Sequence, residues 1–226
     1  MRIAGIATLT AVFLLSACGS GSDPYEDTSP NDIAKDVADA MKEVTSLRMA
    51  GTLTQDGQTI DVDLAMSASG NCEGQMSLEG QGSFELIVTD GDGFIKPDEE
   101  FWRTQGGPQA DALIETVGDK WVAVTGEMAE AAAACDWEEF TSDFDDEKDN
   151  DINEVTGTDE VDGEETVTVS FESDEGNAGV AHVLASDPHY VVKMEVEEQG
   201  DLAFSEFDEP VEPEAPSDTI DLAELQ

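Results

Sequence analysis

Positive charge is scarce in this chain. Nine Lys and Arg stand against 54 Asp and Glu, a net charge of −45 over 226 residues. Nucleic acid and anionic lipid headgroups are gripped through basic patches, so this balance excludes both as direct surface partners. Histidine is scarcer still, with only His182 and His189. No metal-spaced His set, phosphate loop or Gly-x-Ser-x-Gly elbow can be found. Ser186 lies near His189, but Pro188 and the Ala-Ser-Asp-Pro turn argue against a hydrolase pair. The sequence therefore predicts no enzyme and no cofactor. Long apolar runs are missing too. The most prominent, Ile3 to Leu15, is too short to span a membrane.

That short run carries the first positive signal. Met1-Arg2 precedes it, and Leu15-Ser16-Ala17-Cys18 follows, the layout of a secretory leader. The Leu-Ser-Ala-Cys tetrapeptide resembles the lipobox of bacterial lipoproteins. The resemblance implies cleavage before Cys18 and a diacylglycerol on its thiol. The expected organisation is a signal peptide at 1–17, a lipidated Cys and flexible tether at 18–30, and one domain at 31–226. The expected location is the extracytoplasmic face of the cell membrane, with the membrane itself as partner through the anchor.

With Cys18 taken by lipid, Cys72 and Cys135 remain, an even pair in an oxidising compartment. A disulfide between them would contribute about 4 kcal/mol in the chain-entropy model; two buried free thiols are the alternative. The acidic excess suits a solvated surface in high salt or in a cation-rich envelope, with specific cation binding as the other reading. One segment matches a calcium loop in part. Asp149, Asp151, Asn153 and Glu160 hold the first, third, fifth and twelfth places, but Glu154 stands where glycine makes the turn. No metal is expected there.

Periodicity supplies the fold. Ser29-Pro30-Asn31-Asp32 opens a helix, with Ser29 as cap and Asp32 at the capping-box position. Ile33, Val37, Ala40, Met41 and Val44 form its apolar stripe. From Ser46 the period becomes two, through Ile60, Val62, Leu64 and Met66, then Met76 and Leu78, then Phe84, Leu86 and Val88. Phe94-Ile95 and Phe101-Trp102 continue the sheet, with Asp-Gly turns between strands. Pro108 to Val117 and Glu127 to Trp137 read as helices, and Trp121 to Val124 as strand or helix. Asp143 to Glu154 is a charge-dense connector whose only sizeable apolar residues are Phe144 and Ile152. Strands resume with Val167, Val169 and Phe171, then Val180, His182 and Leu184. Tyr190, Val192, Met194 and Val196 are expected to point inward. The pattern predicts an α+β fold on one large, curved antiparallel sheet with a few helices covering its concave face.

Asp90-Gly91-Asp92-Gly93-Phe94-Ile95-Lys96, Asp119-Lys120-Trp121-Val122, Tyr190-Val191-Val192-Lys193-Met194-Glu195 and Ala215-Pro216, in this order, resemble small lipoproteins of high-GC Gram-positive bacteria. These are related to the LppX/LprG and LolA/LolB half-barrel carriers. The resemblance implies an open half-barrel, a hydrophobic cavity between helices and sheet, and an acyl-bearing lipid or lipoglycan as ligand. The cavity residues expected from the inward pattern are Ile33, Val37 and Met41 on the helix. Leu64, Met66, Met76, Leu78, Phe84, Leu86, Val169, Phe171, Tyr190, Val192 and Met194 would come from the strands. The same residues packed into a dry core would leave an acidic, surface-tethered interaction or cation-sensing module instead.

Overall fold

The computed structural model describes residues 28–55, 57–124, 130–142, 144, 152–173 and 176–221. The leader, Cys18 and most of the tether lie outside them, as do Asp149 and Asp151. Helix α1 (Pro30–Glu43) starts as the sequence predicts. Ser29 Oγ accepts from Asp32 N at 3.2 Å, Pro30 sits in the first turn, and Ile33, Val37, Ala38 and Met41 are buried.

Strands β1 (Ser46–Gln55), β2 (Gln58–Ser67), β3 (Cys72–Leu78), β4 (Gly82–Thr89) and β5 (Asp92–Pro97) follow as an antiparallel meander. Asp90 and Gly91 close the β4–β5 hairpin with φ of 54° and 83°. Two successive positive φ values make the turn whose twist matches paired strands, and Asp-Gly tolerates them.

Phe101-Trp102 departs from expectation. Both lie in α2 (Glu99–Gln105), not in the sheet. Asp98 caps this helix, its Oδ1 accepting from Phe101 N at 2.7 Å, and Glu99 and Glu100 fill the first turn. The cap and the acids outweigh the aromatic strand preference. A 3₁₀ turn leads into α3 (Ala110–Val117), and Trp121–Ala123 settles as strand β6.

Of the expected helix Glu127 to Trp137 the described residues show the short α4 (Glu130–Ala133), and a second helix, α5 (Trp137–Ser142), begins at its last residue. They are separated by the turn at Cys135, whose sulfur is bonded to Cys72 with Cα atoms 5.8 Å apart. Asp136 Oδ1 then caps α5 through Glu138 N and Glu139 N, each at 3.0 Å.

Strands β7 (Ile152–Val161), β8 (Glu164–Glu172), β9 (Ala178–Leu184), β10 (Val191–Val196) and β11 (Gly200–Ser205) complete the meander. A proline-spaced segment then runs back to β12 (Thr219–Ile220), parallel to β6. Among the described residues the sheet has 12 strands in the order β12-β6-β5-β4-β3-β2-β1-β11-β10-β9-β8-β7. It is open: β7 and β12 are edges and do not pair with each other. The fold is the expected α+β open half-barrel. Its inner face and the helices share one hydrophobic cluster, while the outer face carries charge. No described helix is long and apolar enough to cross a membrane.

Candidate functional site

The inner face is filled unevenly. Leu64, Met66, Leu86, Ile95 and Val122, on β2, β4, β5 and β6, are each at most 1 % exposed. Helices α2 and α3 close over this half with Trp102 and Val117, and Phe84 meets Phe101 edge-on at 5.6 Å. Toward β7 the packing thins. An apolar cleft of about 100 Å³ lies between α1 and strands β7 to β10. Ala34, Val37 and Ala38 wall it on α1, with Ile152, Val169, Phe171, Ala181, Val183, Val191 and Met194 from the strands and Phe144 at one side. Three of these side chains are alanine. Where a methyl replaces a larger group, atoms are missing from the interface and space remains.

Phe144 reaches this place through a chain of rings. The disulfide pins Cys135 to the start of β3, and α5 leaves that point with Trp137 against Phe140 at 5.8 Å. Phe140 packs on Phe204 of β11 at 5.9 Å and on Phe144 at 5.5 Å. The cross-link thus orients the segment that flanks the cleft.

The 14 residues singled out from the sequence divide by position. Val37, Val169, Phe171 and Met194 line the cleft. Ile33 and Met41 are buried on α1 without lining it, and Leu64, Met66 and Leu86 lie in the packed half. Met76, Leu78 and Phe84 belong to the same hydrophobic cluster, away from the cleft. Tyr190 stacks on Phe207 at 4.4 Å and donates its hydroxyl to Asp208 Oδ2 at 3.1 Å. Val192 is half-buried and outside the cluster, because a bulge between Val191 and Lys193 shifts the register and turns Val191 inward. Ala34, Ala38, Ala181, Val183, Val191, Phe144 and Ile152 were not foreseen as lining. Phe144 and Ile152 did carry a signal, as lone apolar residues in an acidic connector.

Of the calcium-loop residues only Asn153 and Glu160 are described. Asn153 and Glu160 both lie on extended strand β7, which separates them by about 23 Å, too far for one ion. No group of three or more metal-ligating side chains occurs among the described residues. His189 is held by its own loop, with Nδ1 2.9 Å from Leu184 O and Nε2 3.3 Å from Asp187. The outer face has its own groove, about 350 Å³, where Glu209, Pro210 and Val211 cross over Arg48, Ala65 and Glu73. Its lining is mainly polar, and the Arg48 guanidinium is already bound by Asp63 at 2.8 Å.

An open antiparallel half-barrel with helices packed into its hollow defines a fold class, and solved structures share it. LprF from Mycobacterium bovis superposes with a TM-score of 0.57 at 17% identity, over 83% of this chain and 96% of that one. The lipoprotein LppX of Mycobacterium tuberculosis superposes with a TM-score of 0.52 at 16% identity, over 83% and 100%. No protein-family model and no curated protein sequence matches the chain.

Proposed function

We propose that the protein is a lipoprotein, anchored through Cys18 at the outer face of the membrane, that takes an acyl chain into the cleft beneath α1. The observation that carries this reading is that every side chain lining the cleft is apolar, in a fold shared with LprF and LppX. A space of about 100 Å³ is a third or less of an ordinary ligand pocket. Binding therefore requires the walls to part. The material suits this: α1 presents two alanines to the sheet, and Met194 is a deformable thioether. A pocket that its ligand widens needs only a minor open population in the free protein.

The test is native mass spectrometry on protein purified without detergent, together with titration of a fluorescent fatty-acyl probe. A co-purifying acyl lipid and saturable probe binding are expected in the wild type. In Ala38→Trp, whose indole occupies the cleft, affinity should fall at least about tenfold while the fold persists, since overpacking costs about 1–3 kcal/mol. Bare protein with no saturable binding, or a variant that binds as well as the wild type, overturns the proposal.

A further inference from the structure

The strands that floor the cleft carry one buried histidine on their other side. Ala181 and Val183 line the cleft, so His182 between them points to the outer face. It sits across from Thr168 of β8 and Lys193 of β10, and its side chain is 6 % exposed. Its Nε2 lies 3.1 Å from Glu195 Oε2 on β10, while Lys193 Nζ donates to the other oxygen, Oε1, at 2.9 Å. The bond from Lys193, and after it the one from His182, hold the Glu195 carboxyl below its ordinary range. Glu195 is therefore an ionised acceptor, and in the neutral ring the proton belongs on Nε2.

That leaves a lone pair on Nδ1. It faces Asp159 Oδ2 of β7 at 3.9 Å and has no hydrogen-bond partner. Asp159 Oδ1 accepts from Glu160 N at 2.8 Å. Thr166, directly across from Asp159, has a fully buried hydroxyl that is also unpartnered. Two acceptors confront each other with no hydrogen between them, and a second proton on the ring supplies it. The charged groups around the imidazole are Asp159 from β7 and Lys193 and Glu195 from β10, with Asp201 of β11 acting on Lys193; β8 offers only Thr166 and Thr168. Among the described residues strand β7 is an edge, paired with β8 alone, and two register shifts interrupt that ladder. It also carries Ile152 into the cleft wall.

We propose that His182 is a proton-operated tie across the back of the cleft. Protonated, it joins Asp159 on β7 to Glu195 on β10 and adds a second hold on the edge strand; neutral, it leaves β7 held by its ladder to β8 alone, and the ligand exchanges faster. The effect on ligand rests on the cleft being the binding site, but the tie itself does not.

Amide hydrogen exchange on Ile152–Val161, corrected for intrinsic rates, reads the strand without any ligand. Protection in the wild type should rise about tenfold from about pH 8 to about pH 5, as a charge-assisted hydrogen bond warrants. His182→Gln should abolish the rise, and any contribution from His189 would persist in it. Asp159→Asn donates its amide to Nδ1, so protection should be high at both pH values. Release of the acyl probe should slow in acid by a similar factor in the wild type alone. Flat β7 protection in the wild type, an unchanged rise in His182→Gln, or Asp159→Asn behaving as wild type overturns the tie. Protection that follows the pattern in a protein that binds no probe upholds the tie and removes the carrier reading.

Discussion

The β2–β6 half of the sheet and the β7–β10 half share one alternating apolar pattern, yet helices seal the first and leave a gap in the second. In the first half, leucine, methionine, isoleucine and tryptophan meet a disulfide and two helices. In the second, alanines of α1 and β9 face each other and the cover is α1 with Phe144. Inward-pointing strand residues do not by themselves make a cavity; the size of what opposes them does. A braced half beside a loosely filled one is the arrangement that the proposed acyl binding would use.

The firmest brace is Cys72–Cys135. Replacing both by serine should lower stability by about 4 kcal/mol, as the loss of a cross-link closing a loop of this length predicts. Urea denaturation measures it. Unchanged stability would mean that the packed half stands without its cross-link and that the contrast drawn here is one of side-chain size alone. Truncation sharpens the same contrast. Leu86→Ala, at a site with 0 % exposure, should cost about 3 kcal/mol, and Met194→Ala beside the existing gap about 1 kcal/mol. Equal losses would show the two halves to be packed alike.

The strands were legible because alternation and Asp-Gly turns are local signals. The pairing of Cys72 with Cys135 followed from an even count in an oxidising compartment. The cleft was less legible. Alanine is permitted almost anywhere, so nothing marks Ala34, Ala38 and Ala181 as facing one another until the chain is folded. The bulge that turns Val191 inward in place of Val192 leaves no signature either. Phe101-Trp102 misled for a different reason: aromatic strand propensity is a weak preference, and the cap at Asp98 overrides it. Helix ends thus proved better guides than helix or strand preference.

Those ends provide the finest comparison of the two halves. Asp98 caps α2 over the packed half, and Ser29 caps α1 over the cleft. Burial alone would raise the Asp98 carboxyl, but hydrogen bonds from Phe101 N, the Ser83 hydroxyl, Ser83 N and Glu100 N hold it below its ordinary value of 3.8. A carboxyl lowered by folding stabilises the protein above that value and loses its contribution as pH falls through the lowered one. Asp98→Ala should therefore cost about 1 kcal/mol near neutrality, and the deficit should shrink as pH falls below 3.8 through the lowered value. Ser29 Oγ accepts from Asp32 N at 3.2 Å and donates to Asp32 Oδ2 at 2.7 Å, so its cap is a reciprocal pair with one residue. Ser29→Ala should cost about 0.5 kcal/mol. Denaturant titrations at both pH values read the difference. If α1 proves as costly to uncap as α2, the cleft's helical wall is anchored as firmly as the core, and it is then the sheet edge that must move.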